Sequence, residues 1–531
     1  MKSLFDIKNI VFNNEILIRD AGQFLWDNPE TAYNEFQGSS MLSATYAANG
    51  FKVVRGAGGF PTSFIAEWKS GDSGPSIGLF SDFDALPGLS TVKKGAPGHG
   101  CNHNQYAARA LGTAVSMKQI MEKFQLDGRI VVFGAPAEES GGSKQYFVRQ
   151  GLMQGIDVFI GLHPVGHVSG VMFNKHLASA ARQYIFTGQT AHAALAPDKG
   201  RNALSALEFF NTGVHFLRGQ LPDGIRINHV ITAGGVVSNM IPDNCAAEYS
   251  IRAGELPVLE DLVRKIDIIA KAAADALDCS VKTNDLGTLA NSIPNYVFAK
   301  VAHQNAKIAG TAVYSDAEQD NAVEKGYPKG YITEISPLPE TPSQIFGSTD
   351  EGDVSWTAPW VRISIPSSPQ GVPAHTKDQV YFSGLACGYK GTMQTVLTAC
   401  LTIYDLLTNP DLINEAKAEH DSFLQGKVYQ SAASAYPDPA LFPALPGCSV
   451  DENGRIHLNL DQWPIFSDLE NVPIRVKIGT DILGESYLGS VRTIDIPVSQ
   501  ATNDKSAIYE IQFSDGAIWN TIGYVKKNAG N

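Results

Sequence analysis

His99, Cys101 and His103 stand at alternate positions in one short stretch approached by Gly95, Gly98 and Gly100. A thiolate and an imidazole two residues apart suit zinc or another late divalent ion. The glycines let the backbone turn sharply beside them. Taken alone, the pair fits equally well a buried free cysteine beside an unrelated turn histidine.

Three later fragments carry ligand types that would complete such a site: Glu138 with Glu139, His163 between Leu162 and Pro164, and His375 in the 371–376 segment. Adjacent residues of an extended chain point opposite ways. One carboxylate can therefore hold a cation while the other faces a water as general base. Alone, the two glutamates read as a solvated acidic pair in the first turn of a helix, where the dipole favours them. Asp82 and Asp84 are expected to accept hydrogen bonds that orient ligating imidazoles. The polar 348–356 loop is either a pocket wall or surface.

The elements around these residues alternate. Helical spacing predicts helices over 13–28, 35–49, 104–125 and 144–150. Apolar runs predict strands over 51–54, 62–68, 76–84, 128–135 and 158–162. This order implies an α/β core with a largely parallel or mixed sheet. The candidate fragments follow carboxyl ends of strands, where open α/β sheets place their ligands. From about residue 180 a β-α-β-β-α order appears, close to a ferredoxin-like split βαβ unit. The α/β character resumes near 293 and ends in a long helix over 388–407. A proline-rich linker over 436–446 leads to strand-like runs at 456–460, 472–478, 491–496 and 507–513, which suggest a small β-sandwich.

The 531 residues are too many for one core, so two to four domains are expected. A net charge of −13 argues against general nucleic-acid or anionic-membrane binding. The six cysteines, Cys101, Cys245, Cys279, Cys387, Cys400 and Cys448, have no framework spacing, which implies reduced thiols and a cytoplasmic location. The start has no apolar signal region, and no run of roughly 18 apolar residues predicts a membrane span.

In order and spacing these motifs resemble the M20 metallopeptidase family, in its amidohydrolase branch. Asp82 to Pro87, His99 to Asn104, Pro136 to Glu139, Gly161 to Pro164, Thr190 to Ala193 with Gly200 to Leu204, and Pro373 to His375 carry the likeness over residues 12–425. Asn104 and the 348–356 loop look most like its p-aminobenzoyl-glutamate hydrolase group, on the B-subunit side. The resemblance implies two divalent metal ions per subunit, zinc or manganese. Cys101 would bridge them, with His103, Glu139, His163 and His375 as the other ligands and Glu138 as general base. It implies an α/β catalytic domain in two parts (1–180 and 291–430) and a ferredoxin-like lid or dimerisation domain (181–290); the strand pattern adds a C-terminal β-sandwich-like module (431–531). His192 would stabilise the oxyanion, commonly from a partner subunit. Asn239, Arg252 and, more weakly, His229 would contact substrate; an arginine fork suits a carboxylate. The activity implied is hydrolysis of N-acyl or N-aroyl amino acids such as p-aminobenzoyl-glutamate. A dipeptidase or aminopeptidase is the alternative, and a non-catalytic binding member a third reading. The partner would be an identical chain through the lid, in a homodimer or higher oligomer, or a paralogous subunit. Two features depart from the pattern. Asn102 stands where the branch usually has glycine, and the C-terminal β module is not a usual part of the family.

Overall fold

The computed structural model describes residues 2–433, Pro437, residues 442–443 and seven strands between Ser449 and Lys526. The fold is built on seven strands whose apolar runs can be buried on both faces. They are β1 (Lys52–Arg55), β2 (Phe64–Ser70), β3 (Ser76–Asp82), β4 (Gly128–Ala135), β5 (Val158–Gly161), β6 (Gly170–Met172) and β13 (Trp360–Ser364). Their order is β1-β2-β4-β3-β5-β13-β6. The inner four, β4-β3-β5-β13, are parallel, and antiparallel strands close both edges. Ile77, Leu79, Phe80, Ile130, Val132, Val158 and Ile160 are fully buried, as a sheet covered on both sides requires. Asp82 pairs with Ala135 and Gly161 with Arg362, so the carboxyl ends of the inner strands open onto one edge.

Helices α1 (Lys2–Asn13), α2 (Glu15–Asp27), α3 (Phe36–Ala48), α4 (His103–Phe124) and α5 (Lys144–Arg149) belong to this body. The helix expected over 13–28 is α2, and a further helix, α1, precedes it. The break falls at Asn14, whose side chain donates to Ile10 O, Ser116 Oγ and Gln119 Oε1 and so fixes the joint against α4. Arg109, fully buried on α4, donates to Leu162 O, Ile365 O and Thr392 Oγ1 at 2.8–3.2 Å. One side chain thus satisfies carbonyls beyond the ends of β5 and β13 and sets where α4 starts.

After β7 (Asn174–His176) the chain enters a second sheet with its own core. It comprises β8 (Ala178–Thr187), β9 (Arg226–Ala233), β10 (Asn244–Ala253) and β11 (Ser280–Leu289), in the antiparallel order β11-β8-β10-β9. Helices α6 (Ala203–Arg218) and α7 (Leu256–Ala276) pack on one face through Phe210, Leu207, Ile266 and Leu259. The expected β-α-β-β-α order is present and gains a last strand. β11 has almost no buried face and carries Lys282, Asn284 and Asp285, so its apolar alternation is too weak to announce it.

Returning to the first body, the chain forms α8 (Tyr296–Ala309), α9 (Asp316–Glu324), β12 (Ser343–Ile345), α10 (Glu351–Ser355), α11 (Lys377–Ser383), α12 (Gly388–Thr408) and α13 (Asp411–Leu424). β12 pairs with β7. The C-terminal strands form two antiparallel sheets. One has the order β14 (Ser449–Val450), β15 (Arg455–Asn459), β18 (Thr493–Pro497). The other runs β17 (Asp481–Leu488), β16 (Val472–Ile478), β19 (Ile508–Ser514), β20 (Trp519–Lys526). Most of the expected linker over 436–446 lies outside the described residues, as does Cys448. Phe442 from that segment is buried edge-on against Tyr33 and Phe60, ring centroids 5.3 and 5.5 Å away.

Gly391 on α12 packs directly on the chain after β13: a Cβ there would lie 2.0 Å from the Pro366 carbonyl oxygen. Helix propensity favours alanine over glycine by about 1 kcal/mol. Overpacking against rigid backbone costs about 1–3 kcal/mol. Gly391→Ala is therefore expected to lower stability in a denaturant titration; a net gain would show that this contact is loose.

Candidate metal centre

Asp84, 1% exposed just beyond β3, organises the site. Its Oδ1 accepts from His103 Nδ1 at 2.7 Å, and its Oδ2 accepts from the Glu139 amide at 2.9 Å. The first bond fixes the imidazole tautomer and turns Nε2 the other way, into a buried position without a hydrogen-bond partner. Burial opposes charge on His103, but the adjacent Asp84 carboxylate outweighs it and raises the pKa well above the ordinary histidine value. Burial likewise works against Asp84, and His103 more than offsets it, holding Asp84 below the usual carboxylate range.

Cys101 and His103 are set apart by Asn102, which adopts a left-handed backbone with φ of 61°. Glycine takes that conformation without strain, and asparagine is among the side chains that tolerate it best. The Asn102 side chain also accepts from Gln379 Nε2 at 2.8 Å. Asparagine therefore keeps the turn and ties it to α11. His99 points away: its Nε2 lies 3.0 Å from Leu25 O, anchoring the turn to α2.

The two glutamates follow a second left-handed residue, Ala137 at φ 60°. The Ala137 amide donates to Glu35 Oε1 at 2.8 Å, and Glu35 is itself buried and held by Thr62. The turn sends the pair in different directions. Glu138 Oε2 lies 3.9 Å from His103 Nε2, and its Oε1 accepts from Thr349 Oγ1 at 3.0 Å. Glu139 Oε2 lies 3.3 Å from His375 Nε2, and its Oε1 is buried without a partner. Burial pushes the Glu138 carboxyl up to about 8, with nearby Asp350 acting in the same direction.

His163 Nδ1 is 2.9 Å from Pro164 O, which assigns the proton to Nδ1 and leaves Nε2, 3.4 Å from Cys101 Sγ, as the available donor. His375, half exposed, is brought in by its amide donating to Gly100 O at 2.8 Å.

Three overlapping groups have ligand atoms within 4.8 Å of one another: Cys101 with His103 and His163, Cys101 with Glu139 and His375, and His103 with Glu138 and Glu139. Cys101 belongs to two of them. The orphaned His103 Nε2 and Glu139 Oε1 face no protein partner, and the donor set is sulfur, imidazole and carboxylate. These residues fit a divalent cation, and the set suits zinc and admits manganese.

Beneath the site lies a buried ion network that local sequence does not reveal. Lys144 Nζ is 2.7 Å from both Asp82 and Asp350. Asp82 is thus a partner of Lys144 and not the acceptor for an imidazole expected from its position beside Asp84. Glu351 holds Arg362 at 2.7 Å and accepts from the Tyr106 hydroxyl at 2.6 Å. The expected loop over 348–356 is mostly the buried helix α10. Its one sequence signal is the close set of acids Asp350, Glu351 and Asp353, dense for a loop that buries its side chains.

None of the expected lid residues belongs to the three ligand groups. His192 is exposed, its Nδ1 accepting from the amides of Ala194 and Leu195 at 3.2 Å. Its neighbour Ala193 donates to Asn239 O at 3.0 Å, so the two loops are joined. His229 stacks on Tyr249 with centroids 4.9 Å apart. Arg252 donates to Phe346 O at 3.2 Å and reaches Ser348 Oγ at 3.5 Å.

The structure thus presents a candidate metal-ligand cluster at the carboxyl edge of an α/β sheet, followed by a βαββαβ unit. Residues 175–278 match the peptidase dimerisation domain of the M20 family. The B-subunit of the p-aminobenzoyl-glutamate hydrolase from Escherichia coli K12 is 28% identical over 450 residues, 77% of this chain and 93% of that protein. The Xaa-Arg dipeptidase of Mus musculus is 28% identical over 414 residues, covering 76% of this chain and 88% of its own length. In fold, the crystal structure of a putative aminohydrolase from methicillin-resistant Staphylococcus aureus superposes with a TM-score of 0.56 at 18% identity, over 77% of this chain and 99% of that one. Residues 175–278 thus match an M20 domain, and over most of its length the chain is similar to enzymes that hydrolyse amide bonds. Among the described residues no helix is long and apolar enough to cross a membrane.

Without a cation, the surroundings favour a proton on both His103 and His375, raising each pKa above the ordinary histidine value. Hydrogen bonding to Cys101 and Glu139 pushes His375 up to about 10. A cation must displace these protons, so affinity is expected to rise with pH, by about tenfold per unit for each proton released. Calorimetric titration of zinc into the metal-free protein in buffers of different ionisation enthalpy measures the release; binding without it would contradict this charge arrangement.

Proposed function

We propose that this chain hydrolyses the amide bond of N-acyl or N-aroyl amino acids, with a p-aminobenzoyl-glutamate-like conjugate as the substrate class. The single observation that carries this reading is the convergence of Cys101, His103, Glu139, His163 and His375 beside a second, partly buried glutamate, Glu138. The similarity to a chain of a p-aminobenzoyl-glutamate hydrolase supports the substrate class.

In this reading Cys101, His103, Glu139, His163 and His375 would hold two divalent cations, zinc or manganese, with Cys101 as the ligand they would share. His103 and His163 lie on one side of it, and Glu139 and His375 on the other. When bound, the cations supply the Lewis acidity that makes water acidic and the scissile carbonyl electrophilic. Glu138 takes a proton from the attacking water and delivers it to the amine nitrogen as the C–N bond breaks. A residue with a pKa raised by burial suits both halves of that task. His192 donates to the developing oxyanion from the lid of a second subunit, because within its own chain it stands among exposed lid loops. Asn239, Arg252 and His229 contact the substrate, Arg252 through its carboxylate.

Residues 1–180 and 291–430 form the catalytic domain in this scheme, 181–290 the lid through which subunits pair, and 431–531 an appended β module. The partner is a second copy or a paralogous subunit, and the location is cytoplasmic. A dipeptidase is the second reading, favoured by the likeness to the Xaa-Arg dipeptidase. A screen of N-acyl amino acids and dipeptides, with released amine as readout and with zinc or manganese added, separates the two.

Glu138→Ala is expected to retain metal by elemental analysis while losing turnover by about 10²–10⁴-fold, the span of general acid–base contributions. Retained activity would remove Glu138 as the base. Cys101→Ala is expected to lower the bound metal count. If His192 acts across subunits, mixing inactive Glu138→Ala and His192→Ala proteins restores activity through hybrid dimers with one intact site. Absence of complementation in verified hybrids would place His192 outside the partner's site.

A further inference from the structure

The Glu138 carboxylate is held by one side chain that belongs to neither the ligand groups nor the lid. Thr349 Oγ1 donates to Glu138 Oε1 at 3.0 Å. Among the described residues no other hydrogen bond reaches the Glu138 carboxyl oxygens. The Glu351 amide lies 3.4 Å from the same Thr349 hydroxyl and donates to it, so the hydroxyl proton is left for Glu138. Thr349 is 6% exposed. With Oε1 occupied in this way, Oε2 is the oxygen turned toward His103 and the converging ligand atoms.

Thr349 is itself fixed from both sides. On the preceding side, Leu177 donates its amide to Gly347 O at 3.0 Å. Arg252 donates to Phe346 O, and the Arg226 guanidinium lies over the Phe346 ring at 4.6 Å. On the following side, Asp350 accepts from Lys144 Nζ and from the amides of Ser143 and Lys144 at 2.7–3.1 Å. Glu351 is held by Arg362 and Tyr106. A hydroxyl suspended between two such anchors has little freedom to follow a wandering carboxylate, so it restrains the carboxylate instead.

We propose that Thr349 is a positioning residue for proton transfer, holding Glu138 by Oε1 so that Oε2 alone meets the water. This rests on Glu138 being the base. In the step itself, Oε2 accepts the water proton as the water oxygen bonds to the carbonyl carbon. The same oxygen returns that proton to nitrogen as the C–N bond breaks. The threonine hydroxyl keeps its own proton throughout and donates to Oε1 at both stages.

The test compares Thr349→Val, Thr349→Ala, Thr349→Ser and Glu138→Gln in the full-length, metal-loaded enzyme. The assay uses an N-acyl amino acid that the unmodified enzyme turns over, p-aminobenzoyl-glutamate first. Thr349→Val keeps the shape and loses the donor. It is expected to lower kcat by about tenfold or more, the scale of one hydrogen bond to a charged group, with KM and metal content unchanged. Thr349→Ser restores kcat. If the valine protein does not fold, the alanine and serine proteins decide the matter in the same way. A valine or alanine protein as fast as the parent, beside an inactive Glu138→Gln protein, overturns the proposal and leaves the base assignment standing. Serine as slow as valine also overturns it, because the effect then comes from packing and not from the hydroxyl. An active Glu138→Gln protein removes the base assignment itself, and the role of Thr349 with it.

Discussion

One buried carboxylate, Asp84, decides where the site is. It lies at the end of β3, between the two parallel neighbours β4 and β5, and bonds the first residue of α4 and the amide of Glu139 at once. An uncompensated carboxylate in that environment costs several kcal/mol. Asp84 bears burial because a histidine and a backbone amide share its charge. The same bonds that make its burial tolerable aim His103 and place Glu139. Stability of the sheet edge and geometry of the ligand cluster therefore have a common physical origin.

Around this bond the protein uses charge in two ways. Below the site, Lys144 and Arg362 neutralise Asp82, Asp350 and Glu351, so those acids are structural and closed off. Beside it, Glu139 and His375 stay open to what approaches from solvent, and Glu138 is left with a single threonine donor. Strained backbone also occurs on the same loops. Asn102, Ala137 and His375 all take positive φ, and each is held by a hydrogen bond from a distant element. Left-handed residues that cost about 1–3 kcal/mol each persist where the surroundings over-determine them.

The lid takes part in this arrangement without reaching the ligand cluster in its own chain. Arg226 and Arg252, neighbours across β9 and β10, hold Phe346. From there a continuous run leads through Thr349 to Asp350 and Glu351 in the buried network. The sheet that carries His192 and the carboxylate beside the metal ligands are thus joined by a few residues of backbone.

Much of this was legible in the chain. The buried strands, α4, α12 and the ferredoxin-like order follow from apolar periodicity. The ligand types follow from their place after strand ends. Periodicity failed where an element buries little, as in β11. The ion pairs of Lys144 leave no local signal and the 348–356 segment reads as a loop, because their partners lie about 200 residues away in sequence. The sequence by itself determined the chemistry available: a thiol, imidazoles and carboxylates in a fixed order on turns that glycine and asparagine permit. Only the tertiary structure decided which of them meet. Cys101 joined two ligand groups, His99 turned away to Leu25, Asp82 went to Lys144, and Thr349 came to Glu138. Coordination and hydrogen bonding act over about 3 Å and depend on direction. Such contacts are set by how strands and helices pack, which no local run of residues encodes.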